Sequence, residues 1–148
     1  MTDYFDASAL AALLLNQPLR PAVKVHIDTS DAAPIVSDFV VAETSSAVSR
    51  LLRMKTIDRV LAQALVGRLD EWVHGTGGAT PLESSDVPEA TLLVRRFDLK
   101  LRAPDALHLA ICRRLQARLV TLDNTLTAAA HALDVPCINP AETSALKD

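Results

Sequence analysis

The sequence predicts an α/β protein, with a parallel sheet covered by helices on both faces. Two observations carry that expectation. Strand-like runs alternate with helical segments from one end of the chain to the other. The 148 residues are 49% hydrophobic, enough to fill one compact core and too apolar for a disordered chain. No internal repeat, low-complexity tract or linker divides the sequence, so a single domain over residues 1–148 is expected.

The elements follow in order. Residues 2–5 read as a first strand and 8–15 as a short helix. A second short helix is expected over 21–28 and a strand over 34–37. Ser37 or Asp38 can cap a helix that runs to residue 54, and Thr56 can cap a long helix over 57–74. The stretch Gly75-Thr76-Gly77-Gly78 makes a helix-to-strand loop, followed by a short strand over 79–82. Ser84 or Ser85 starts a helix that reaches Phe97. Pro104 suits a first helical position, because its missing N–H is unpaired there anyway, and opens a helix to residue 116. RLVTL, residues 118–122, is the strongest strand candidate. A helix over 125–133 and a last strand over 136–139 complete the pattern.

Bulk properties exclude several function classes. A net charge of −3 gives no general attraction to nucleic acid or an anionic membrane, so any such binding must be local. Aromatic residues are 3%, too few for a base-stacking platform. Cys112 and Cys137 are too few for a disulfide scaffold or a cysteine zinc site, and Cys112 reads as a small buried hydrophobe. The first apolar stretch, residues 9–15, is too short to cross a bilayer and follows Asp3 and Asp6 rather than a basic leader. A cytoplasmic protein without a membrane partner is expected.

Four acids stand out: Asp6 in DYFDASAL, Glu43 in FVVAETSSAVSR, Asp105 in LRAPDALHLA and Asp123 in LVTLDNTL. Asp6 and Asp123 each follow a strand, at the sheet edge where parallel α/β folds place their working cleft. Such an Asp is equally a good helix N-cap, and the two roles are compatible. On its helix, Glu43 lies at the margin of the face formed by Val40, Thr44, Ala47, Val48, Leu51 and Leu52, where a solvated Glu is also common. Asp105 belongs to a helix that is apolar almost all round, with Leu109 and Cys112 on its own face. Facing the positive helix end would stabilise it by only about 0.3–1 kcal/mol, less than the cost of burial, so a cation partner is expected. Four converging carboxylates repel one another unless cations hold them. A site of carboxylates alone points to phosphate chemistry.

Nearby polar residues have plainer readings beside the functional ones. Ser8 either supports Asp6 or a bound water, or simply occupies a first helical turn. Thr121 either faces the site or reflects strand propensity. His108, one turn after Asp105, reads as a hydrogen-bonded core residue that at most supports the site. Asp38 reads as a cap, and Asp58, Asp70, Glu71, Glu83, Asp86 and Glu89 as solvated. Two basic clusters, Arg50, Arg53, Lys55, Arg59 and Arg95, Arg96, Lys100, Arg102, read as solvated faces able to hold RNA phosphates or the acidic groups of a protein partner.

Taken together, Asp6-Ala7-Ser8-Ala9-Leu10, Ala42-Glu43, Pro104-Asp105-Ala106-Leu107-His108-Leu109-Ala110 and Val120-Thr121-Leu122-Asp123, with residues 128–135 behind them, resemble a PIN domain. The likeness is specifically to a VapC-type toxin of a bacterial toxin–antitoxin pair, and it covers essentially the whole chain. Each motif alone is weak, and the four in this order are specific. The resemblance implies a three-layer α/β/α sandwich with a five-stranded parallel sheet, an acidic pocket binding Mg²⁺ or Mn²⁺, and endoribonuclease activity. It also implies homodimerisation and inhibition by a cognate antitoxin. By position Asp6, Glu43, Asp105 and Asp123 match the family's acidic quartet. Asn124 stands where some relatives carry a further acid, so a second metal is expected to be held weakly or only with substrate.

Hard oxygen donors suit Mg²⁺ or Mn²⁺. Asp6, Asp105 and Asp123 are expected to face the metal, with Glu43 a ligand or the group that orients the attacking water. Haloacid-dehalogenase phosphatases resemble D-x-D after the first strand, and Ser8 replaces the second acid here. Receiver domains also gather acids at strand ends, but their acid pair and Lys are not evident. A non-catalytic PIN-like module that binds RNA or protein is the remaining alternative.

Overall fold

The structure, a computed structural model, describes residues 1–145. Four strands, β1 (Thr2–Phe5), β2 (Ala33–Ile35), β3 (Arg118–Val120) and β4 (Cys137–Ile138), pair in parallel in the order β2-β1-β3-β4. Tyr4 of β1 sits between Ile35 of β2 and Leu119 of β3, and Phe5 lies opposite Val120. The helices are α1 (Ala7–Leu14), α2 (Arg20–Thr29), α3 (Asp38–Arg53), α4 (Arg59–Gly75), α5 (Asp86–Val94), α6 (Ala103–Leu115), α7 (Asn124–Ala132) and α8 (Pro140–Ala145).

Strand β1 explains the layering. Successive strand side chains point to opposite faces, and here both faces are covered. Tyr4 meets His108 of α6 on one side, with ring centroids 5.8 Å apart. Phe5 meets Trp72 of α4 edge-on at 5.8 Å and 71° on the other. Tyr4, Phe5, Leu10, Leu109, Ile111, Leu119, Val120 and Leu126 are fully enclosed in one continuous core. Burying each such Leu, Ile, Phe or Val side chain contributes about 1.5–3 kcal/mol. Cys112 is a buried member of this core, as its apolar surroundings suggested.

The sheet has four strands rather than the five expected. Residues 79–82 contribute a single bridge between Thr80 and Ser37. Thr80 donates its N–H to Val36 O at 2.8 Å and accepts from Asp38 N at 2.9 Å. The next residue, Pro81, has no N–H to continue a ladder. Leu82 N instead donates to the Asp38 carboxylate at 2.9 Å.

Other boundaries move for local reasons. Helix α4 starts at Arg59 because Asp58, rather than Thr56, accepts from Leu61 N at 2.8 Å. Helix α5 stops at Val94 instead of reaching Phe97. A 3-10 turn over Phe97–Leu99 follows and closes on Lys100 in the left-handed region at φ 56°, which tucks Leu99 inward and leaves Phe97 83% exposed. Helix α8 had no expectation.

Two buried ion clusters had no signal in the sequence pattern. Asp86, expected to be solvated, is 2% exposed and receives both Nε and Nη2 of Arg114 at 2.8 Å, fastening α5 to α6. Asp3 is buried at the amino end of β1, where Arg118 Nε donates at 2.7 Å, Ser30 Oγ at 2.9 Å, and His26 Nε2 lies 2.8 Å away. Burial raises the Asp3 carboxyl, and the hydrogen bonds from Arg118, His26 and Ser30 together outweigh it and hold it below its ordinary value.

Candidate active site at the carboxyl edge of the sheet

Strands β1 and β3 are neighbours, and their carboxyl ends deliver Asp6 and Asp123 to the same edge. The pairing runs one residue past β1, with Asp6 N donating to Val120 O at 3.1 Å. Asp6 is 3% exposed. Its Oδ1 accepts from Ala9 N at 2.9 Å, which caps α1, and from Ser8 Oγ at 2.7 Å. Its Oδ2 accepts from Thr121 Oγ1 at 2.6 Å. Burial pushes the Asp6 carboxyl up, and the neighbouring His108 ring and the hydrogen bonds from Thr121, Ala9 and Ser8 oppose that rise.

Thr121 joins the two strand-end acids. Its Oγ1 also accepts from Asp123 N at 3.0 Å. Ser8 Oγ accepts from Leu122 N at 3.0 Å, which ties the start of α1 to the same turn. Asp123 caps α7 through Oδ1, which accepts from Leu126 N at 2.9 Å. The cap readings of Asp6 and Asp123 therefore both hold, together with their position at the site. Asn124 is exposed and its Oδ1 accepts at 3.2 Å from Nδ2 of Asn139, the residue before α8.

Glu43 comes from α3, where its side chain is 26% exposed, and it reaches His108 of α6. Glu43 Oε1 lies 2.6 Å from His108 Nε2, within reach but out of line for a hydrogen bond. This buried oxygen is therefore without a hydrogen-bond partner. Behind the imidazole, Nδ1 lies 2.9 Å from Tyr4 Oη, and Tyr4 Oη lies 2.8 Å from Ser37 Oγ. Burial raises the Tyr4 phenol well above its ordinary value, so it stays protonated.

Asp105 occupies the first turn of α6 with its side chain 15% exposed. Its Oδ2 accepts from the N-cap backbone, Arg102 N, at 3.2 Å. The burial expected of Asp105 is thus partial, and a backbone N–H partners it. The helix presents exposed Arg113 on one side, so it is not enclosed all round. No hydrogen bond or ion pair ties Asp105 to the other three acids among the described residues.

Asp6 and Asp123 are thus coupled through Thr121, Glu43 is coupled to His108, and Asp6 feels the His108 ring. Among the described residues no three His, Cys, Asp or Glu side chains stand together closely enough to ligate one ion. The donor chemistry nevertheless fits a hard cation. Asp123, at the carboxyl edge, keeps one carboxylate oxygen outside its cap interaction. Mg²⁺ is commonly held by one or two carboxylates with water completing its octahedron, so it does not need three protein ligands in one cluster. A cavity of about 400 Å³ adjoins the edge, lined by Leu99, Lys100, Asn124, Thr125 and Ala128 among others. None of the four acids lines this cavity or the larger one of about 680 Å³ between α1, α2 and α4; Asn124 and Thr125, next along the chain from Asp123, line the first.

A model of the PIN domain family matches residues 4–132, a span that contains all four acids. The chain belongs to the PIN domain family. This PIN domain superposes on FitAcB from Neisseria gonorrhoeae with a TM-score of 0.74 at 20% identity, covering 95% of this chain and 99% of that one. It is similar to the toxin–antitoxin complex from Klebsiella pneumoniae at 16% identity and TM-score 0.66, over 94% and 98% of the two chains. The Mycobacterium tuberculosis VapC20 structure, described as a Sarcin-Ricin loop cleaving toxin, matches at 19% identity and TM-score 0.67, over 86% and 95%. At these identities the likenesses establish the fold. No curated protein matches the chain significantly. No described helix is long and apolar enough to cross a membrane.

Sequence reasoning missed Tyr4, and read Ser37 only as a cap of α3, which it is. The available signal was a lone Tyr in the first strand, since a buried phenol needs a hydrogen-bond partner.

Proposed function

We propose that this PIN domain is a Mg²⁺-dependent endoribonuclease, with Mn²⁺ able to substitute, and the toxin of a toxin–antitoxin pair. One observation carries the reading: Thr121 Oγ1 bonds both Asp6 and Asp123 at the carboxyl edge of adjacent strands, with Glu43 and Asp105 presented by α3 and α6. Asp6, Asp105 and Asp123 would hold the ion, directly or through water. When bound, Mg²⁺ supplies positive charge that polarises the scissile phosphate and offsets the charge developing on it. Glu43 orients the attacking water by accepting its hydrogen bond. Ser8 and Thr121 hold the Asp6 carboxylate in one orientation. Lys100 beside the adjoining cavity offers an ammonium to a neighbouring RNA phosphate, which a net-negative chain needs locally.

The partners in this reading are an RNA substrate, a cognate antitoxin protein and a second copy of the chain. The apolar groove lined by Val87, Ala90, Val94 and Leu107 between α5 and α6 supports apolar docking there. The Klebsiella likeness, whose description names a toxin–antitoxin complex, supports the antitoxin.

A PIN-like module that binds without cutting is favoured by one fact, that no three acids gather closely among the described residues. Incubating the purified, antitoxin-free protein with structured RNAs separates the two. The nuclease cuts with Mg²⁺ or Mn²⁺ and stops with EDTA. Binding without cutting under all conditions would establish the module.

A further inference from the structure

We propose that Ser37, Tyr4 and His108 form a buried positioning chain for Glu43, fixing the imidazole as the tautomer whose Nε2–H faces that carboxylate. The inference rests on the nuclease reading for its catalytic consequence, but not for its geometry.

The direction of the chain follows from counting hydrogens. Ser37 is fully enclosed, and its Oγ already accepts from Val40 N at 3.1 Å as the cap of α3. Its own hydroxyl hydrogen needs an acceptor, and Tyr4 Oη at 2.8 Å is the other partner it has among the described residues. Tyr4 Oη, with Ser37 donating to it, must send its hydrogen onward, and His108 Nδ1 at 2.9 Å receives it. An Nδ1 that accepts carries no hydrogen, so a neutral ring bears its hydrogen on Nε2. That atom lies 2.6 Å from Glu43 Oε1. Reversing the chain would make Tyr4 donate to Ser37 and leave the buried Ser37 hydrogen without an acceptor, which is costly.

The anchors at the far end are rigid. Ser37 is fixed by capping α3, Tyr4 is the middle of the central strand β1, and His108 packs against the Phe39 ring at 5.4 Å. Glu43 extends from the same α3 that Ser37 caps. The Nε2–H therefore offers Glu43 a donor whose position is set by the sheet. Glu43 Oε1 is 2.6 Å from Nε2, so forming the bond requires a change of angle and not of reach. Tyr4, Ser37 and His108 touch neither RNA nor ion in this account. They act through Glu43.

The test uses the full-length protein labelled with ¹⁵N. Long-range ¹H–¹⁵N spectra resolve the ring nitrogens of its four histidines, and the signal lost in His108→Gln assigns His108. With spectra taken at a pH where the ring is neutral, the expected result is the Nε2–H tautomer in the wild type and a mixture of tautomers in Tyr4→Phe. An Nδ1–H tautomer in the wild type, or an unchanged tautomer in Tyr4→Phe, overturns the proposal. In RNA cleavage, Tyr4→Phe lowers kcat about tenfold with KM unchanged, as loss of a group that orients a functional side chain does. His108→Gln, whose amide nitrogen can stand where Nε2 stood, retains more activity than His108→Ala, and Tyr4→Phe adds nothing to His108→Gln. Wild-type cleavage by Tyr4→Phe overturns the positioning role. If that variant fails to fold, equal activity of His108→Gln and His108→Ala does so instead. A wild type that cuts no RNA defeats the nuclease reading, while the ring spectra still decide the chain.

Discussion

Thr121 Oγ1 donates to Asp6 Oδ2 at 2.6 Å and accepts from Asp123 N at 3.0 Å, so one hydroxyl spans the two strand-end acids. Thr121→Val keeps the shape and removes both bonds. It leaves the part-buried Asp123 N–H and one buried Asp6 oxygen unpaired, which costs about 1–3 kcal/mol in urea unfolding. Thr121→Ser, which keeps the hydroxyl, is expected to retain most stability and cleavage.

Arg114 supplies a control remote from the acids. Arg114→Met leaves Asp86 buried without its bidentate partner. The loss is about 3–5 kcal/mol, read by denaturant titration. Cleavage per folded molecule is expected to be unchanged, because the clamp joins α5 to α6 through residues outside the candidate site.

Asp3 gives the fold an acid-sensitive point. Its folded carboxyl titrates below the ordinary value, so ionisation is easier in the folded state than in the unfolded chain. The resulting stability is fully present above the unfolded value of 3.8 and is lost as pH falls through the lower folded one. Asp3→Asn removes charged hydrogen bonds worth about 1.5–3 kcal/mol each at neutral pH. Its stability should change less than the wild type's across that acid range, measured by urea unfolding at stepped pH.

Cation binding has a readout that needs no substrate. Mg²⁺ at 100 times its dissociation constant is expected to stabilise the wild type by about 2.7 kcal/mol. Thermal unfolding should show a rising melting temperature with Mg²⁺. The rise should vanish in Asp6→Asn, because Asp6 is the enclosed carboxylate of the strand-end pair.

Much of this was legible in the sequence because it was periodic or local. The strand–helix alternation gave the parallel sheet, and the acid after each of two strands gave the caps and the shared edge, as Asp6 and Asp123 bear out. Ser8 and Thr121 were also found, since both lie two residues from an acid. The misses depend on contacts between distant residues. Asp86 looked solvated because Arg114, its partner, is 28 positions away. The expected strand over 79–82 failed on Pro81, which breaks the ladder after one bridge. Asp105 looked isolated among apolar neighbours, yet the Arg102 N–H three residues back meets it. Tyr4 and His108 are 104 positions apart, so no spacing rule could pair them.

The most direct measurement of the central claim is the rate at which wild type and Asp6→Asn cleave one structured RNA at saturating Mg²⁺, with folding of both checked by circular dichroism. Metal-dependent cleavage by the wild type is expected, with a loss of at least about 100-fold in the folded variant, comparable to removing a group that orders the transition state. Cleavage by Asp6→Asn at the wild-type rate, or wild-type cleavage that persists in EDTA, would contradict it.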